Sequence, residues 1–180
     1  PNVDYENELS WNEYEGWDLG VKEYQIYRKV NDVPDPSGPL ETLPAGTTTY
    51  VDDVSSLDNT GGTFSYYVIA VENDGDNGYE NTPDESKSNE ITITQETRVL
   101  VPNAYIPGSG KFKPVTAFID QQAYEMVIFN KWGQMIFQTS DSGEGWDGRF
   151  KGELVPSGSY VYLIKYRTPD GQTLEKRGTV

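Results

Sequence analysis

The chain contains no cysteine and no histidine among its 180 residues. Thiol nucleophiles, histidine-based triads and the usual Cys/His zinc sites are excluded with them. The missing cysteines say little about redox compartment and imply only a protein stable without disulfides. No apolar run is long enough to span a bilayer as a helix, and no basic-then-apolar leader opens the chain. It begins with Pro1 rather than Met, which reads as a piece cut from a longer precursor. Basic residues are scarce in the first half only. Residues 1–97 hold 4 Lys and Arg against 21 Asp and Glu, whereas residues 98–180 hold 10 against 8. That step predicts two domains, 1–97 and 98–180, with a boundary near Gln95 to Val99. The intervening link has neither Gly nor Pro, so a fairly stiff junction is expected. The acidic front argues against nucleic acid, whose phosphates it would repel. It suits an extracellular, calcium-containing medium, although solubility alone would explain it.

What is present favours strands and turns. Hydrophobic residues make up 35% and aromatics 13%, with 13 Tyr, 18 Gly and 11 Pro. That hydrophobic and aromatic content is well above what a disordered chain carries. In the front half, residues 1–8 read as a frayed or incomplete first strand, followed by the alternating Leu9-Ser10-Trp11. Tyr24 to Val30 is a strand with Tyr24, Ile26 and Arg28 on one face. Leu40 to Leu43 reads as an edge segment closed by Pro44, and Thr47 to Val51 as a strand ending at Asp52-Asp53. Gly61-Gly62 turns into Phe64 to Val71, and Glu90 to Thr94 closes the set. About seven short, turn-punctuated strands predict a β-sandwich. The wording Leu-x-Trp, Tyr-x-Ile-Tyr-Arg, Thr-Tyr-x-Asp, Tyr-Tyr-x-Ile-Ala-Val and Ser-Asn-Glu-Ile resembles a fibronectin type III domain over about residues 5–96. On that reading Trp11 fills the core between the sheets, and Trp11→Ala costs ~3–5 kcal/mol.

The rear half is organised around residues 130–166. Val99 to Val101 is a short strand. Ala123 to Asn130 and Met135 to Thr139 are β-rich runs joined by Lys131-Trp132-Gly133-Gln134, a hairpin. Gly143, Gly145 and Gly148 bracket Trp146-Asp147, a loop in which the glycines allow tight folding, the indole covers an end of the sandwich and Asp147 caps backbone N–H groups. Pro156-Ser157-Gly158 turns into the long strand Ser159 to Arg167. The fold class expected is therefore all-β, two consecutive antiparallel β-sandwiches of the immunoglobulin/fibronectin kind.

Four motifs in order, Asn-x-Trp-Gly-Gln, Gly-Trp-Asp-Gly, Val-Pro-Ser-Gly-x-Tyr and Lys-x-Gly-Thr, resemble the gliding-motility-associated C-terminal domain. This is the type B C-terminal sorting domain of type IX secretion cargo, and the resemblance covers roughly Val101 to Val180. It implies a non-enzymatic targeting module, read as a folded domain and directing export to the cell surface or exterior. It also implies outer-membrane partners including one of the PorP/SprF kind, a shuttle protein, and attachment to upstream adhesin repeats. The recognition residues it implies are Asn130, Trp132, Gly133, Gly145, Trp146, Asp147, Gly148, Pro156, Gly158, Tyr160, Lys176, Gly178 and Thr179. Two departures stand out. Where the family has an acidic Asn-Gly-Asp-Gly-rich loop, this chain has Gly108-Ser109-Gly110-Lys111-Phe112-Lys113-Pro114, with no acid and hence no calcium-like role. The family's last strand also continues beyond Gly-Thr, whereas this sequence stops at Val180, which implies a trimmed chain or an incomplete signal.

Other constellations point elsewhere. Asp74, Asp76, Glu80 and Asp84, with Glu85, sit in a Gly-rich loop that could hold calcium, which takes six to eight oxygens. The loop lacks the EF-hand glycine, since Tyr79 occupies that place, and a solvated connection between strands is the plainer account. No other cofactor is expected. Asp52-Asp53 and the acids around Asp141 to Asp147 invite a glycosidase reading, but nothing in the sequence builds a sugar cleft with fixed carboxylate spacing. Trp17, Trp132, Trp146, Tyr160, Tyr162 and Tyr166 are candidates for a platform on a surface polysaccharide. The three tyrosines share one strand face, which on a half-buried strand is more often core. The alternatives to a sorting module are thus a carbohydrate-binding or adhesive module, or a passive spacer.

Overall fold

A computed structural model describes residues 5–73 and 83–180. The chain is all-β and divides into two units, Pro1–Ser56 with Thr63–Thr94, and Leu57–Gly62 with Gln95–Val180. No helix among the described residues is long and apolar enough to cross a membrane.

The first unit contains β1 (Glu6–Ser10), β2 (Val21–Val30), β3 (Val33–Pro34), β4 (Glu41–Pro44), β5 (Thr49–Asp53), β6 (Thr63–Glu72), β7 (Glu85–Lys87) and β8 (Ile91–Thr94). One sheet pairs β1 with β5; the other runs β3-β2-β6-β7, with β4 also on β2 and β8 also on β6. The alternation expected for Tyr24, Ile26, Tyr66, Val68 and Ala70 is what the sheets bury between them, together with Leu9, Val54 and Phe64. Of the stretch expected to fray, residues 1–4 lie outside the described residues; β1 takes in Glu6 to Glu8, with Asn7 and Leu9 facing inward. The Thr47–Val51 run extends through Asp53. Trp11 is a correction. It lies just past β1, half-buried, in edge contact with Tyr24 at 5.8 Å, and Leu9 takes the inward position. The full-cavity cost expected for Trp11→Ala therefore does not apply.

Two cross-strand pairs face each other through this unit, Asn7 opposite Asp52 and Arg28 opposite Tyr66. Asn7 Nδ2 donates to the Tyr66 hydroxyl (2.7 Å), which donates to Asp52 Oδ2 (2.6 Å). Arg28 Nη1 contacts both Asp52 oxygens at 2.9 Å. Asn7, Asp52 and Tyr66 are all buried, so their polar atoms must satisfy one another. Burial, and then the bond to Asp52, pushes the Tyr66 hydroxyl well above the ordinary tyrosine range. The paired-carboxylate reading fails here on geometry. Asp52 points inward to Arg28, while its strand neighbour Asp53 is exposed and accepts from Ser55 N. Of the calcium candidates, Asp74, Asp76 and Glu80 lie outside the described residues, and Asp84 is exposed. Among the described residues no group of three or more His, Cys, Asp or Glu could hold a metal ion.

The second unit contains β9 (Arg98–Leu100), β10 (Val115–Ala117), β11 (Glu125–Phe129), β12 (Met135–Thr139), β13 (Arg149–Phe150), β14 (Glu153–Leu154), β15 (Val161–Arg167) and β16 (Thr173–Thr179). A four-stranded sheet runs β12-β11-β15-β16, and β9-β10 and β13-β14 form two short hairpin-like sheets. Its core gathers Phe112, Ile119, Tyr124, Met126, Ile128, Trp146, Tyr162 and Ile164. The run expected over Ala123 to Asn130 starts two residues later and ends one earlier, at Glu125–Phe129, because Gln121–Ala123 is a 3-10 turn capped by Asp120.

Candidate functional site

The register of the four-stranded sheet decides where the motifs fall. Phe129 pairs with Met135 on one side and Val161 on the other, and Val161 pairs with Thr179. That row is the last of the sheet. Beyond it lie the β11–β12 turn, the lead into β15 and the end of β16, where Tyr160 and Val180 exchange backbone hydrogen bonds of 2.8 and 2.9 Å. Motifs as far apart in sequence as those of Asn130 and Thr179 therefore share one end of the unit.

Each motif is held there for a local reason. Asn130 Oδ1 accepts from both Trp132 N and Gln134 N at 3.0 Å, and Gly133 adopts φ 78°, a conformation that costs a residue with Cβ. The turn is thus closed by Asn130 and bent by Gly133, and it throws Trp132 outward, 79% exposed, with Lys131 Nζ 4.6 Å from its ring. Trp146 does the opposite. It is 1% exposed, exchanges backbone bonds with Phe112 (2.7 and 3.0 Å) and donates Nε1–H to Arg149 O at 2.9 Å. A Cβ on Gly145 would sit 2.8 Å from Lys113 Cβ and 2.9 Å from Phe112 O. Gly148 needs its freedom twice, with φ 78° and Pro107 Cα 2.7 Å from the position of a Cβ. Asp147 caps the turn as expected, its Oδ1 accepting from Arg149 N at 2.9 Å.

The Pro156-Ser157-Gly158 turn is fastened by Tyr160, whose hydroxyl donates to Pro156 O at 2.6 Å while its ring lies 5.3 Å from Trp146. Between Tyr105, Trp146, Gly158, Tyr160 and Val180 a cleft of about 90 Å³ remains. Thr179 and Gly178 close the end of β16. Lys176 does not join them. It pairs with Ile164 in mid-strand, and its Nζ donates to Val99 O at 2.9 Å, tying β16 to β9.

The sugar-platform expectation is corrected for most of its residues. Trp146 and Tyr162 are buried, and Tyr160 and Tyr166 are half-buried with their rings packed against the core. Trp17 is half-buried against Tyr14 at 4.4 Å. Only Trp132 of that set is prominently exposed. Residues that the sequence reading missed are Phe129, Met135 and Val161, whose outward row was hidden because it needs the register to assemble it.

Residues 110–180 match the model of one protein family, described as the CHU_C type IX secretion signal domain. That stretch of the second unit is similar to the type IX secretion signal domain. The match leaves residues 1–109 uncovered. No curated protein matches the chain. A secretion signal of this kind implies interaction with the type IX machinery and export to the cell surface or beyond. All four motifs of the signal domain lie within the matched stretch, and the core that holds them draws on it almost entirely, Val99 excepted among its buried members.

Proposed function

We propose that the chain is a non-enzymatic C-terminal targeting module of a larger surface protein, and that the export machinery reads the end of its second unit as a folded surface. The observation that carries this reading is that the Asn130 and Gly178 motifs meet at one end of one sheet, where Tyr160 draws in Trp146 and Pro156. Three of them are built to hold backbone and rings in place, so what they present is a fixed shape. β16 adds a free strand edge. Its even-numbered residues pair with β15 in the pattern set by Tyr160 and Val180, which leaves the backbone groups of Thr173, Glu175, Arg177 and Thr179 turned outward for a partner strand. Partners of the outer-membrane PorP/SprF kind and a shuttle protein fit such a surface, and upstream adhesin repeats would be the cargo.

The test fuses a reporter ahead of the full chain in a type IX-competent bacterium, with and without residues 98–180. The reporter should reach the outside only when those residues are present and the export channel is intact. Equal export without them, or retention of a correctly folded fusion, overturns the reading.

A second reading attaches to the first unit, read as fibronectin type III-like. A cleft of about 650 Å³ opens there, and Trp11, Tyr14, Tyr24, Ser86, Ser88 and Asn89 are among the residues that line it. Trp11 Nε1 is buried and makes no hydrogen bond. Rings beside hydroxyl and amide groups suit a surface polysaccharide. A glycan array with the full chain, compared with Trp11→Ala, separates an adhesive front unit from a passive spacer.

A further inference from the structure

The end surface that carries the motifs also has a side face. Met135, Phe129 and Val161 stand side by side on three neighbouring strands, pointing away from the core because their flanking residues Ile128, Ile136 and Tyr162 point into it. Met135 is 46% and Val161 42% exposed, and Trp132 projects from the turn just past the row. In sum, one margin of a small domain leaves a large indole, a thioether and a branched aliphatic side chain in water, at the place where the motifs meet. Exposed apolar groups gathered in this way mark contact surfaces more than scattered single residues do.

Charge narrows the partner. The acids on the outer face stand opposite bases: Glu125 and Glu175 both pair across strands with Lys165, and Glu175 also meets Arg177. Lys131 makes no ion pair among the described residues, and its ammonium lies over Trp132 instead. The uncommitted charge beside the apolar row is therefore positive.

Resting on the proposed reading of this unit as an export signal, we infer that Trp132, Lys131 and the Met135–Phe129–Val161 row dock as one patch into an apolar, carboxylate-rimmed cleft on a protein of the export machinery. The indole is the anchor, the row covers the cleft's wall, and Lys131 faces the rim. Tryptophan is among the residues that dominate binding at protein interfaces, and aromatic residues and Met are enriched there.

The test uses the full chain behind a reporter in a type IX-competent host, with an aromatic photo-crosslinking residue at position 132, which keeps a ring there, in a parallel strain. Trp132→Ala and Val161→Ser should each lower export at least about fivefold, with melting temperatures near that of the parent. Lys131→Glu should lower export more than Lys131→Gln, and Val115→Ala, exposed on another strand, should leave it unchanged. The crosslinker should yield an adduct with an outer-membrane protein. Unchanged export in Trp132→Ala and Val161→Ser overturns the patch while leaving the export reading intact, provided deletion of residues 98–180 still abolishes export. Binding of the chain to phosphatidylglycerol vesicles that is lost in Trp132→Ala, with no protein adduct at position 132, also overturns it, in favour of a lipid surface.

Discussion

The hydroxyl of Tyr162 lies over Gly178 on the neighbouring strand, occupying the space that a Cβ at position 178 would take. Gly178 is thus required for room, since its φ is not among the positive ones. Gly178→Ala should destabilise the chain by ~1–3 kcal/mol through overpacking against the tyrosine ring. Denaturant melts of Gly178→Ala, Tyr162→Phe and the double variant check it. A non-additive double variant, less destabilised than the sum of the two, is the expected result.

The two tryptophans of the second unit should respond oppositely to the same change. Trp146→Ala empties a buried site and removes the bond to Arg149 O, costing ~3–5 kcal/mol. Trp132→Ala alters a fully hydrated surface and should move stability by no more than about 0.5 kcal/mol. Thermal unfolding of both variants decides the matter, and a large loss in Trp132→Ala would show that its ring has a packing role.

Tyr124 presents the reverse case to Tyr66. Its hydroxyl is buried and makes no hydrogen bond, and burial, followed by the nearby Asp141 charge, pushes it up to about 12. Tyr124→Phe removes an unsatisfied polar atom at nearly constant shape, so stability should hold or rise by up to ~1 kcal/mol. Tyr66→Phe removes two buried hydrogen bonds, the one from Asn7 and the one to Asp52, and should cost ~1–3 kcal/mol. Paired urea titrations read both signs at once.

Alkaline pH should unfold the protein through these same two residues. Both hydroxyls ionise at higher pH in the folded chain than in the unfolded one, where tyrosine loses its proton near pH ~10. The unfolded state then binds fewer protons above that pH, so stability is intact below it and falls as pH rises further. The decline should be shallower in Tyr66→Phe and Tyr124→Phe than in the parent, measured by fluorescence-detected melts between pH 9 and 12.

Much of the architecture was legible because strands and turns announce themselves locally. Met135 to Thr139 has the bounds its composition suggests, and Gly133 and Gly148 adopt the positive φ that their turns demand. What could not be read is whatever depends on a distant partner. Asp52 and Asp53 are identical in sequence terms, and only sheet parity sends one to Arg28 and the other to water. Trp132 and Trp146 both sit beside glycine, yet the pairing with Phe112, 34 positions earlier, buries one and leaves the other projecting. β7 was missed because Glu85-Ser86-Lys87 is polar, and its strand form is imposed by β6. Lys176 was grouped with the terminal motif by proximity along the chain, but its mid-strand register commits it to Val99.

The Asn7–Tyr66–Asp52–Arg28 network has a practical consequence for anyone who trims the chain. Any recombinant fragment that starts after residue 7 removes the amide that serves Tyr66 and, with the strand that carried it, one wall around a sequestered guanidinium–carboxylate couple. Such fragments should accumulate as insoluble material, while the signal-bearing half, which owns no member of the network, escapes the penalty. Where the scissors fall at the front therefore decides the yield of the acidic half and leaves the address label untouched.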